Sequence, residues 1–344
     1  MAMVRAITVR GAFFAFSGAM SVWGVSVPAV AASAATPAVV TDSGAIDSHE
    51  VARQWLQRMA TSLTETHFQF SMMQMQRDQS QPLRYTHGVV DGQQVALLET
   101  LNGPLSSVVR VGSTVVFLEY GNQPYSVASD RIPDLWPGAF AGNFGVFDKH
   151  YQFVLAGRNR IAGRAVQIIR VMALDAYRYQ YQLWLDQESA LPLRMDLLDA
   201  NNNLLEKLLV VESHQFAEPL PILSELQTQQ WPSILVPPAN NVNERWRFGW
   251  LPEGFVLRHY DKHRLLGLNE PIEYLSLTDG LSDFSVYIGR AGRVTLPKNI
   301  VAGNGLGLAS AIHGDFEVVV VGKMPAEALT NVAENLYPAN TPKQ

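Results

Sequence analysis

From residue 177 to 199 apolar and polar side chains alternate too regularly for a helix. Tyr177, Tyr179, Tyr181, Leu183 and Leu185 share one face, and Arg178, Gln180, Gln182, Trp184 and Asp186 the other. This is the two-residue period of a half-buried strand. Residues 187–190 supply a turn, and the chain returns with Leu193, Met195 and Leu197 alternating against Arg194, Asp196 and Leu198, so the stretch predicts a hairpin. The same rhythm runs from 66 to 216 and predicts strands at 68–77, 83–90, 94–100, 106–111, 114–120, 151–157, 165–173, 177–186, 191–199 and 204–216. Asp91-Gly92 and Val111-Gly112-Ser113 suit tight hairpins, and residues 201–203, all Asn, tolerate left-handed backbone.

Helical periodicity flanks this β-rich stretch. Asp47-Ser48-His49-Glu50 has capping-box spacing, and Val51, Ala52, Trp55, Leu56, Met59 and Leu63 follow at helical intervals. Residues 218–238 hold Pro219, Pro221, Pro232, Pro237 and Pro238 and read as a stiff linker with room for a short helix over 223–231. Beyond it the pattern predicts a smaller α+β unit, with strands at 272–277, 284–288 and 316–321. A closing helix follows Pro325 and aligns Leu329, Val332, Ala333 and Leu336 on one face. One interval breaks the β rhythm: residues 131–148 carry Trp136, Phe140, Phe144 and Phe147 among prolines and glycines. Two readings stand: these aromatics pack into the core, or they form a lid over an apolar cavity.

The start of the chain changes the picture of where it works. Arg5 and Arg10 precede an apolar run over 11–27 and an Ala32-Ser33-Ala34 site, the layout of an export signal cut after Ala34, with Ala32 the second choice and a retained membrane anchor the rival reading. The expected organisation is therefore a signal peptide over 1–34, a tether over 35–45, a first domain over 46–217, the linker over 218–238 and a second domain over 239–340. No later stretch is long and apolar enough to span a bilayer.

Composition narrows the chemistry. With no cysteine among 344 residues, disulfides, thiolate catalysis and cysteine-ligated metals are excluded. A net charge of −5 without a long basic run argues against nucleic acid as a partner. No nucleophile-elbow, zinc-helix or phosphate-loop motif occurs, so neither an enzyme nor a cofactor is expected. Gly303, Gly305 and Gly307 read as a flexible loop. His259 and His263 would hold a metal only on a helix, and their segment lacks helical patterning. Arg258, Lys262 and Arg264, with those histidines, form a basic cluster that is either a solvated loop or a contact for an anionic partner. Arg158, Arg160, Arg164 and Arg170 form a second, dispersed basic set.

A helix on a curved antiparallel sheet, with an aromatic loop over it, suits an apolar cavity. Trp136, Phe140 and Phe144 with Tyr177, Tyr179 and Tyr181 are the expected lining or lid. Segments running in order through nearly the whole exported chain resemble the RseB/MucB family. They are LRYTH at 83–87, GRNRIAGR at 157–164, IRV at 169–171, RYQY at 178–181, WLD at 184–186, LPLR at 191–194, DLLD at 196–199, WLPEGF at 250–255, the stretch 274–280, FSV at 284–286 and VGKMP at 321–325. The resemblance implies a periplasmic, two-domain protein of mainly antiparallel β structure, with a first domain similar to the lipoprotein carriers LolA and LolB. It implies that the second domain and linker grip the periplasmic part of a membrane anti-sigma factor of the RseA/MucA type and shield it from regulated proteolysis. Lipopolysaccharide or another acyl-bearing envelope component is then the releasing signal. A periplasmic lipid or lipoprotein carrier is the alternative function, and self-association through the aromatic loop is open.

Overall fold

The two-residue period of 66–216 is realised as eleven antiparallel strands in a computed structural model of the chain. It describes residues 43–77, 79–133, 135–142, 144, 147–234, 245–263, 272–292 and 298–339, with backbone alone for 43–47 and 261–263. Helix α1 (Ser43–Glu65) leads into β1 (His67–Gln76), β2 (Gln79–Val90), β3 (Gln93–Thr100), β4 (Ser106–Val111), β5 (Thr114–Glu119) and β6 (Tyr125–Ala128). After the aromatic loop come β7 (Tyr151–Ile161), β8 (Arg164–Ala173), β9 (Gln180–Asp186), β10 (Pro192–Leu198) and β11 (Leu204–Phe216). The order across the sheet is β6-β5-β4-β3-β2-β1-β11-β10-β9-β8-β7, so two meanders join where β1 pairs with β11. The expected turns hold: Asp91 and Gly92 have φ of 48° and 77°, and Asn202 has φ of 62°.

Some expectations need correction. Helix α1 starts at Ser43, so the capping-box residues sit inside it, and Glu50 accepts from Arg53 at 2.7 and 2.8 Å instead of capping. Strand β6 lies outside the expected strands. Strand β9 begins at Gln180 and not at Tyr177, because the chain bends just before it: the Asp175 carboxylate accepts the Tyr177 amide at 2.9 Å, an Asx turn that competes with the ladder.

Opposite faces of the sheet are covered by different helices. On one face Ala52, Leu56 and Met59 of α1 are fully buried with Phe68, Phe70, Phe140, Phe144 and Phe153. On the other, α2 (Pro221–Thr228) presses Leu223 and Leu226 onto Val90, Val95, Val109 and Val116. Helix α2 begins two residues earlier than expected because Pro221 takes a first-turn position, where its fixed φ is preorganised. After α2 the chain makes one parallel bridge, Ile234 to Ser126, beside β6.

The second sheet has six strands: β13 (Val256–His263), β14 (Ile272–Thr278), β15 (Asp283–Arg290), β16 (Asn299–Val301), β17 (Leu306–His313) and β18 (Phe316–Lys323), ordered β13-β14-β15-β18-β17-β16. Helix α3 (Ala326–Glu334) buries Ala328, Leu329, Val332 and Ala333 on it, and β12 (Trp246–Phe248) pairs with β19 (Leu336–Pro338). Of the basic segment, residues 258–263 lie in a strand, neither loop nor helix, and the Gly303–Gly307 stretch is the β16–β17 turn and the start of β17. A Cβ on Gly307 would stand 2.5 Å from Leu329, so glycine there lets α3 approach the sheet. Both sheets belong to one compact body.

Candidate functional site

The two sheets are joined by a turn that carries its own chemistry. Between β14 and β15, residues 279–282 form a tip in which the Asp279 carboxylate accepts the amides of Leu281 and Ser282 at 2.9 and 2.7 Å. The tip enters the larger sheet's core: Leu281 is 2% exposed and belongs to that core. The Tyr181 hydroxyl donates to the Leu281 carbonyl at 3.0 Å, and the Ala139 amide donates to the Gly280 carbonyl at 2.9 Å. Gly280 sits at φ 96°, and a Cβ there would lie 2.7 Å from the Phe147 ring. Only glycine satisfies both the left-handed backbone and the close approach.

Beneath the tip lies an ionic lock. Arg178 and Asp279 have side-chain exposures of 0% and 1%, and Arg178 Nε donates to Asp279 Oδ2 at 2.6 Å. The other two guanidinium nitrogens donate to the Asp175 carboxylate and to the Glu253 carbonyl. The Tyr151 hydroxyl donates to Asp279 at 2.8 Å; burial first, and then that carboxylate, hold its pKa well above 10.0, so it remains a donor. A guanidinium with no water contact persists only when its donors are answered, and here they are answered from both sheets.

Beside the lock a cleft of about 760 Å³ separates the sheets. One wall is Ala128, Leu135, Trp136, Met195 and Leu197; the other is His259, Tyr274, Ser276, Ser285 and Val321. Tyr274 and Ser285 hydroxyls meet at 3.1 Å, so the second wall is amphipathic. Three ion pairs cross between the sheets at the rim: Arg131 to Asp283 at 2.6 Å, Lys323 to Glu206 at 2.6 Å and Arg258 to Asp130 at 3.0 Å. Both walls thus carry apolar surface with charge of either sign at the edge, a lining suited to a mixed peptide segment more than to a bare hydrocarbon.

The residues predicted from sequence divide between places. Trp136 and Tyr181 line the cleft, and Trp136 meets Tyr85 edge-on at 5.0 Å. Phe140 and Phe144, 1% and 0% exposed, are packed under α1, with Phe140 at 5.8 Å from Tyr181. Of the two readings of the aromatic loop, core packing describes them. Tyr177 instead packs on Trp250 at 4.9 Å in the second core, and Tyr179 is buried near Gly305. The expected tyrosine row is therefore broken by the bend at 174–178, which turns Arg178 inward. Arg258 is committed to Asp130, while Arg264 and the Lys262 side chain lie outside the described residues. Among the described residues no group of His, Asp and Glu is placed to hold a metal. Sequence reasoning misses Arg178, Asp279 and Leu281: the Asp279-Gly280 turn is a legible signal, but the arginine that meets it stands about a hundred residues away.

Known proteins resemble this chain over most of its length. The MucB/RseB N-terminal domain family matches residues 51–235 and the MucB/RseB C-terminal domain family residues 240–337. Sigma-E factor regulatory protein RseB of Escherichia coli (strain K12) is 31% identical over 283 residues, covering 82% of this chain and 89% of the relative. Sigma factor AlgU regulatory protein MucB of Pseudomonas aeruginosa is 29% identical over 307 residues, with coverages of 83% and 91%. The solved Pseudomonas aeruginosa MucA/MucB complex superposes with a TM-score of 0.68 at 26% identity, over 85% of this chain and 100% of that one. A crystal structure of MucB with MucA(peri) gives 0.64 at 25%, with the same coverages.

Proposed function

The chain belongs to the MucB/RseB family, and from that premise we propose that it is an exported periplasmic regulator that holds the periplasmic part of an anti-sigma factor in the cleft between its two sheets. The observation that carries this reading is the cleft itself: about 760 Å³, amphipathic on one wall and apolar on the other, rimmed by Arg131, Arg258 and Lys323 with their partners. Solved relatives with MucA bound have this fold. A segment lying there would be sheltered from proteolysis. The chain's role is binding, not catalysis.

Release is proposed to run through the aromatic loop. Phe140 and Phe144 fill the core beside the Leu281 tip, and the Ala139 amide holds that tip directly. An acyl chain that displaced them would gain about 0.8 kcal/mol per buried CH₂ and loosen the grip between sheets. Two ligands that favour different arrangements oppose one another reciprocally, with a coupling of about 1–3 kcal/mol changing affinity about 5–150-fold. Titration of an anti-sigma periplasmic segment into the protein, with and without lipopolysaccharide, tests this. Tight binding that weakens as lipid is added supports a lipid-released regulator. Lipid uptake without segment binding would make the chain a carrier instead.

A further inference from the structure

Bordering the inter-sheet cleft, with which it shares Pro133 and Leu135, the α1-covered face of the large sheet changes chemistry at one level across neighbouring strands. In β1 the buried residues Phe68, Phe70 and Met72 give way to Gln74 and Gln76; in β2, Tyr85 and Leu83 give way to Gln81 and Gln79. The register sets these amides directly opposite one another, Gln74 against Gln81 and Gln76 against Gln79. Leu98 of β3 is followed on the same face by Thr100, and Ser106 opens β4. Together they floor a groove of about 680 Å³. Its lip carries Leu105 and Tyr120, 71% and 80% exposed, the two most exposed large apolar side chains among the described residues.

The charge of the lining is as informative as its polarity. Lysine and arginine are absent from it, and its one ionised group, Glu119, accepts from Asn122 at 2.9 Å. A phosphate or a carboxylate would meet no counter-charge here, and a hydrocarbon chain would strip water from a row of amides with nothing in return. What fits is an uncharged molecule that offers many hydroxyl or amide groups and one flat apolar face. Glutamine amides supply both donors and acceptors. Gln74 donates to Glu206 at 2.5 Å and Gln81 to the Asn102 carbonyl at 3.4 Å, while the side-chain amides of Gln76 and Gln79, which pair only through their backbones, have no hydrogen-bond partner among the described residues. Tyr120 offers a ring face on which C–H groups of a pyranose can rest.

We infer that this amide-floored groove is a second ligand site and binds an uncharged oligosaccharide, with Gln76 and Gln79 hydrogen-bonding its hydroxyl or acetamide groups and Tyr120 stacking on a sugar ring. Saturation-transfer NMR and calorimetry with tetra-N-acetylchitotetraose and maltotetraose, against a sulfated disaccharide, test it and separate acetamide from hydroxyl recognition. The expected result is binding of at least one uncharged sugar with Kd on the order of 1 mM, as for a shallow open site, and none of the sulfated one. Tyr120→Ala and the double variant Gln76→Ala/Gln79→Ala should each weaken it about tenfold or more; all three positions reach solvent, so thermal melting should stay unchanged. No binding of either uncharged sugar at about 10 mM, affinity undiminished in both variants, or preference for the sulfated sugar would overturn the inference.

Discussion

Two buried side chains show how much single residues decide. Arg178 is among the largest fully buried side chains of the described residues and answers Asp279, Asp175 and Glu253 together. Removing one partner of a buried pair leaves the other charge stranded, so Arg178→Ala should cost about 3–5 kcal/mol in urea unfolding. A loss under about 1 kcal/mol would mean that Asp279 finds other donors. His87 gives a pH dependence. Its Nδ1 lies 2.8 Å from the Thr66 carbonyl between Phe68 and Tyr85, and burial lowers its pKa from 6.5 to about 4. The unfolded chain then takes up this proton first, so the His87 contribution to stability is complete above pH 6.5 and is lost as pH falls toward 4, reaching about 3 kcal/mol below that. Comparing urea midpoints near pH 7 and pH 4.5, the drop should be clearly smaller in His87→Phe than in the native chain. Equal drops would assign the acid sensitivity to other groups.

At the scale of elements, the β14–β15 tip does what a strand pattern does not announce. Leu281 is covalently part of the smaller sheet and sits in the larger sheet's core. Leu281→Ala should therefore lower stability by about 2–5 kcal/mol and, in hydrogen exchange, deprotect amides of both β9 and β14. Deprotection confined to β14 and β15 would show that the tip does not couple the sheets. The elements themselves were legible where one face of a strand is wet: β11 runs over the expected residues, with buried positions alternating from Leu205 to Val210, because alternation records a half-buried surface. Where the chain serves a long-range contact the local pattern fails. Residues 177–179 alternate like a strand yet bend so that Arg178 reaches Asp279, a hundred residues away. Strand β6 is four residues long and too short to show a period. For the site, Trp136 and Tyr181 were legible as large aromatics, whereas the ion pairs at the rim join residues whose proximity only the register of two sheets creates.

For the whole molecule, the fold brings two sheets, each with its own core, against one buried tip and leaves an open cleft beside it. Under the proposed function, binding and release would be linked through the same parts: a segment in the cleft would contact both walls, and anything that withdrew the tip would separate them. The most direct test of that account is calorimetric titration of an anti-sigma periplasmic segment into the native chain and into Ser276→Trp. Ser276 is half-buried on the cleft wall, so an indole there occupies the space without entering either core. The account predicts that this variant melts like the native chain and binds the segment at least about 100-fold more weakly, a loss of about 2.7 kcal/mol. Native-like affinity in Ser276→Trp would place the segment elsewhere and contradict it.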